Sequence, residues 1–113
     1  MEILKLQTKQ HTLDAIRAGE VKEYAREIRP NTQKKYCEMD EDGYVKDIDG
    51  VLQPRKYDVV QFSVGHETYT CKINDAWIEL FEDENGELVT YVEAGEEYIA
   101  AQVVYELGEK IQL

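Results

Sequence analysis

Apolar and polar residues alternate at the start of the chain. In residues 2–7 (EILKLQ), Ile3, Leu4 and Leu6 are apolar, which predicts a strand. Leu13, Ala15 and Ile16 then give one apolar face to a short helix, with Thr8 or Thr12 as its N-terminal cap and Gly19 at its end. Residues 21–29 (VKEYAREIR) fit two periods. Helical spacing gathers Val21, Tyr24, Ala25 and Ile28 on one face. A period of two gathers Lys22, Tyr24, Arg26 and Ile28 on one face and Glu23, Ala25, Glu27 and Arg29 on the other. The helix-ending Gly19 favours the strand, and Pro30 stops either element.

Residues 31–56 have the weakest pattern. They hold an acidic run at 38–42 and two Asp-Gly pairs, the second of which (Asp49-Gly50) predicts a small hairpin. Beyond them the pattern is mostly β. Strands are expected at 57–64 (YDVVQFSV), 68–73 (TYTCKI), 76–81 (AWIELF), 88–92 (LVTYV) and 99–106 (IAAQVVYE). Asn85-Gly86 is the strongest hairpin signal. Residues 93–98 are expected to form a turn or short helix, Leu107-Gly108 a bend, and 111–113 a last short strand. No internal repeat and no low-complexity linker stands out. The expected class is α+β, mostly β. A small sheet leaves exposed edges that closure into a barrel would remove, so the expected architecture is a β-barrel with one or two short helices.

The 113 residues suit a single domain over 1–113, and the 42% hydrophobic content suits a globular one. The net charge of −11 argues against duplex DNA as a partner. Its distribution is uneven. Residues 1–57 carry 11 basic and 11 acidic side chains, and residues 58–113 carry 2 and 13. A locally basic patch on an acidic body is therefore expected, able to take a phosphate or a short single strand. No apolar run suggests a leader or a membrane span, and the two distant cysteines, Cys37 and Cys71, are expected as reduced thiols of a cytoplasmic protein.

The segment 18–35, AGEVKEYAREIRPNTQKK, carries a resemblance. It is similar to the ASCH family of PUA-like barrels, whose signature after a short helix is G-x-K-x-x-E-x-R. A phage- and bacteroides-type branch runs roughly G-E-K-K-E-E-Y-R-E-I-K-P. Gly19, Glu20, Lys22, Glu23, Arg26, Glu27, Ile28 and Pro30 fall in step with that branch. DAIRAG resembles the family's helix, YDVVQFSVG its central strand and VVYELGEKIQL its last strand, with 36–56 as an insertion. In strict register Val21 and Tyr24 occupy the signature Lys and Glu positions. Two other registers remain open, one through Lys22 and Glu23 after a one-residue slip, one through Glu27 and Arg29. The resemblance implies a small PUA-like barrel that binds RNA or a modified nucleoside. Some members are amidohydrolases of 4-acetylcytidine, so catalysis is an open question.

The candidate residues follow. Lys22 with Glu23 is the candidate catalytic pair, since a cation beside a carboxylate can activate and carry protons. Lys22, Arg26 and Arg29 are candidates to hold phosphate or a base edge, and Glu27 to orient them. Tyr24 or Tyr36 offers a stacking face, and His66 sits where the family's cleft lies. His11 and His66 have no metal-ligand spacing, and 40–51 lacks the Gly and Glu of a calcium loop, so no metal and no cofactor is expected. The expected ligand is RNA or a small nucleoside. The alternative is a non-catalytic interaction protein whose acidic C-terminal half docks a basic partner.

Overall fold

Leu4 and Leu6 lie on one side of the first strand and are buried, while Lys5 and Gln7 face solvent, as their alternation requires. The computed structural model describes residues 1–113. Nine strands and two short α-helices make it α+β, mostly β, the class expected from the pattern. In chain order these are β1 (Ile3–Gln7), α1 (Gln10–Arg17), β2 (Glu23–Ile28), a 3-10 turn (Pro30–Thr32), α2 (Gln33–Tyr36), β3 (Asp47–Ile48), β4 (Val51–Leu52), β5 (Val59–Val64), β6 (Glu67–Leu80), β7 (Thr90–Glu93), β8 (Glu96–Ile99) and β9 (Ala101–Lys110). Five strands share one sheet in the order β1-β5-β6-β9-β2, which has β1 at one end and β2 at the other. The pairs β3–β4 and β7–β8 are separate hairpins.

The chain divides into two compact units. The first holds Met1–Tyr24, Lys56–Ala76 and Tyr105–Leu113. In it β1 runs parallel to β5, with Leu6 opposite Phe62, and β5 runs antiparallel to β6, with Phe62 opposite Tyr69. Val59 and Val60, on opposite faces of β5, are both buried, as in a strand covered on both faces. Leu13 and Ile16, one helical turn apart on α1, complete this core, and the helix packs on β5. Gly19 ends α1 at a φ of +74°. Its N–H donates to Ile16 O and that of Glu20 to Ala15 O, the paired bonds of a Schellman cap. Neither threonine caps the other end. Lys9 holds that position without a side-chain bond, Thr12 is inside the helix, and Thr8 Oγ1 lies 3.2 Å from Tyr24 OH.

β6 is one strand of fourteen residues where two were expected. Asn74 does not break it, because its side chain occupies the space that Gly108 leaves open. A Cβ at residue 108 would stand 2.5 Å from Asn74 Oδ1. For the same reason Leu107-Gly108 is no bend but the middle of β9, and residues 111–113 form no further strand.

The second unit holds Ala25–Arg55 and Trp77–Val104. Here the backbone contains a repeat that the residues conceal. In residues 38–53, Asp40 Oδ1 accepts the N–H groups of Asp42 and Tyr44, both at 2.9 Å. In residues 81–100, Asp83 Oδ1 accepts those of Asn85 and Glu87, both at 2.9 Å. The bridge Met39–Val45 corresponds to Glu82–Leu88. A closed ring of backbone bonds follows in each. Glu38 N donates to Gln53 O, Gln53 N to Lys46 O and Lys46 N to Glu38 O; Phe81 N donates to Ala100 O, Ala100 N to Val89 O and Val89 N to Phe81 O. Each copy ends in a two-residue hairpin turn, Asp49-Gly50 and Ala94-Gly95, with φ of +53°/+83° and +51°/+81°. Only Asp-Glu-Asp/Asn-Gly is shared in sequence, and the second hairpin is four residues longer, so side-chain patterning alone does not expose the repeat.

The second copy also decides two expectations. Asn85-Gly86 turns the chain, but through the Asp83 loop rather than a two-residue hairpin. Of the two alternatives for residues 93–98, the turn forms and the helix does not; it joins β7 to β8, with Ala94 in a conformation usually left to Gly or Asn.

Candidate functional site

Each unit has its own cleft. That of the first unit measures about 290 Å³ and is built around the end of α1. Ile16, Val21 and Leu107 supply apolar walls, Arg17, Lys22 and Lys110 supply cations, and Tyr69, Cys71, Gly108 and Glu109 complete the lining. The Schellman cap turns the chain so that Val21 and Lys22 follow Gly19 along this wall, and Leu107 N donates to Lys22 O at 2.8 Å. Arg17 is oriented by an ion pair with Glu67, which also accepts from Gln10. The Arg17 guanidinium lies 5.7 Å and the Lys110 ammonium 5.8 Å from the Tyr69 ring centre. Both charged ends thus face the same ring. Burial pushes the Cys71 thiol from 9.0 up to about 11, which keeps it protonated and a poor nucleophile.

The second unit's cleft is larger, about 430 Å³, and chemically opposite. Ile28, Val45, Leu52, Ile78, Leu80 and Ile99 line it with Cys37, Tyr91, Tyr98 and Ala101, and Asp47 and Glu97 are its charged members. Both copies of the backbone repeat contribute, the first through Val45, Asp47, Gly50 and Leu52, the second through Tyr91 and residues 97–99. Tyr91 and Tyr98 pair across β7 and β8 with ring centres 5.7 Å apart. Tyr98 OH donates to Glu96 at 2.9 Å. That hydrogen bond, partial burial and the charges of Glu96 and Glu93 hold the phenol above its ordinary pKa. Burial pushes the Cys37 thiol up to about 11 as well.

The candidates from the sequence are dispersed over these features. β2 forms as the strand period required, with Tyr24 and Arg26 half-buried, Ile28 buried, and Glu23, Ala25 and Glu27 exposed. Lys22 is exposed just before it and lines the first unit's cleft. Glu23 faces solvent and lines neither cleft; the carboxylate that shares a lining with Lys22 is Glu109. Tyr24 packs its ring edge-on against Phe62, centres 4.9 Å apart, and belongs to the first unit. Arg26, Glu27 and Arg29 belong to the second. Glu27 and Arg29 pair at 2.8 Å, and the Arg29 guanidinium sits 4.4 Å from the Tyr91 ring centre. His66 is exposed in the Gly65-His66 turn between β5 and β6 and lines neither cleft.

Arg17, Tyr69, Glu109 and Lys110 escaped the sequence reading of the site. One signal pointed at Lys110: it is one of two basic residues in the whole second half. Nothing local pointed at Tyr69, because strand pairing brings it to the helix end. Comparison of the chain with family models, with curated proteins and with solved structures finds no match in any of the three.

Proposed function

We propose that the chain binds a phosphate-bearing nucleoside, or the end of a short single RNA strand, in the cleft of the first unit. The observation that carries this reading is the clustering of Arg17, Lys22 and Lys110 around a cleft of about 290 Å³ in a chain of net charge −11. Three cations at one cleft on an acidic body attract a compact anion, while the rest of the surface repels a long polyanion. Ile16, Val21 and Leu107 offer apolar contact to a base or sugar, and Tyr69 offers a ring face. The resemblance of residues 18–35 to the ASCH segment points the same way, since Gly19 and Lys22 of that segment line this cleft. The reading is one of binding. Amide hydrolysis in the same cleft would use Lys22 as the activating cation and Glu109, in place of Glu23, as the proton carrier.

The test is an NMR titration of the full chain at low salt with nucleosides, nucleoside monophosphates and a short single-stranded RNA. Shifts at Gly19, Val21, Lys22, Leu107 and Lys110 are expected, stronger with monophosphates than with nucleosides. Lys22→Gln combined with Lys110→Gln should weaken binding at least about tenfold, roughly 1.4 kcal/mol. Arg26→Gln in the second unit should leave it unchanged. Absence of shifts with every ligand at millimolar concentration sinks the reading.

A further inference from the structure

The second unit is unlike a surface evolved only to face water. Residues 77–104 contain eight acidic side chains and no Lys, Arg or His. The same unit exposes Tyr44, Ile48, Val51, Leu80, Phe81, Leu88, Val89, Val92 and Ile99. Apolar groups concentrated in this way, among charges that are mostly acidic, mark interaction surfaces. Among them lies the groove of about 430 Å³, within the range that bound ligands fill. Its walls are apolar and its charged lining residues, Asp47 and Glu97, are both carboxylates.

We propose that this groove docks a basic segment of a partner protein. Bulky apolar side chains of that segment seat against Ile28, Leu52, Ile78 and Ile99, and its Lys or Arg side chains meet Asp47 and Glu97. Charge complementarity selects this occupant. A second copy of the chain would bring 6 basic and 15 acidic residues of its own second unit against the same set, and a nucleic acid would bring phosphates. The unit already holds one guanidinium of its own against a carboxylate. Arg29 stands over Tyr91 at 4.4 Å with Glu27 at 2.8 Å, an aromatic face and a carboxylate sharing one cation. Tyr91 and Tyr98 of the lining face each other across β7 and β8.

The test uses the full chain and fluorescein-labelled peptides rich in Lys and Arg that carry Leu and Phe anchors, one at helical spacing and one at strand spacing. Anisotropy should report micromolar binding of at least one, weakening as salt is raised. Replacing the anchors by Ser should weaken it at least about tenfold, as should Asp47→Lys with Glu97→Lys. Ile99→Ser, at an exposed position, should do the same with an unchanged circular dichroism spectrum. Four results overturn the proposal: no binding of either peptide at millimolar concentration, equal binding of the Ser-substituted peptide, unchanged binding by the charge-reversed protein, or self-association that Ile99→Ser abolishes.

Discussion

The two units spend their apolar side chains differently. The first has 7 basic and 9 acidic residues, and it holds nine of the fifteen buried apolar side chains, among them Leu4, Leu13, Phe62 and Tyr105. Its exposed large apolar residues are only the chain ends, Met1 and Leu113. The second has 6 basic and 15 acidic residues and buries Ile28, Tyr36, Cys37, Ala101, Val103 and Val104. Nine of the eleven large apolar residues left exposed are there, Val92 at 70% and Val51 at 61%. Stability of the first unit rests on removal of apolar surface from water. The second unit leaves much of its apolar surface exposed beside a surplus of carboxylates, whose mutual repulsion disfavours self-contact. The contrast extends to the clefts, one lined by three cations and one carboxylate, the other by two carboxylates and no cation.

The largest effect should come from the first unit's core. Phe62 is fully buried between Leu6 and Tyr69 in register, with Tyr24 against its ring. Phe62→Ala should cost about 3–5 kcal/mol, whereas Val92→Ala in the second unit should stay within about 0.5 kcal/mol. Urea denaturation measures both. Equal losses would remove the distinction between a packed unit and one with a spare apolar surface.

A smaller effect sharpens the account of the first unit. Gly108→Ala places a Cβ on Asn74 and should cost about 1–3 kcal/mol. Adding Asn74→Ala should recover part of that loss, because it removes the atom that the methyl meets. If the double variant is no more stable than Gly108→Ala alone, the close approach is not the reason for the glycine.

The smallest effect compares the two copies of the repeat in the second unit. Asp40→Ala and Asp83→Ala each leave two loop N–H groups without their carboxylate acceptor. Each should cost about 1 kcal/mol, since both loops are exposed and water takes over the donors. Amide exchange should speed up at Asp42 and Tyr44 in one variant and at Asn85 and Glu87 in the other. Effects that differ severalfold would mean that like backbone bonds do not carry like stability in the two copies.

Much of the fold was legible in side-chain order. β1, β2, β5 and the Asp49-Gly50 hairpin follow from alternation and turn chemistry, and α1 follows from Leu13, Ile16 and Gly19. The misreadings share one cause, the weight given to local signals. Asn74-Asp75 and Leu107-Gly108 look like breaks in isolation, yet each is continuous strand because the Asn74 side chain fills the gap at Gly108. Ala94 carries no turn signal, yet it turns because pairing of Tyr91 with Tyr98 and Val92 with Glu97 leaves it the apex. The candidate site was legible only in part. Lys22 was found from its neighbourhood in sequence, but its companions Arg17, Tyr69, Glu109 and Lys110 come from a helix and two later strands.

What the sequence determined by itself is local: the periods that choose strand or helix, the turns that Asp-Gly and Pro demand, and the concentration of acid in the second half. These depend on each residue and its near neighbours along the chain. Only the tertiary structure decided which cations share a cleft, which carboxylate stands with Lys22, and that residues 38–53 and 81–100 are one backbone motif used twice. Strand pairing joins residues far apart in the chain, and backbone hydrogen bonds repeat regardless of most side chains, so neither relation leaves a period or a spacing to read.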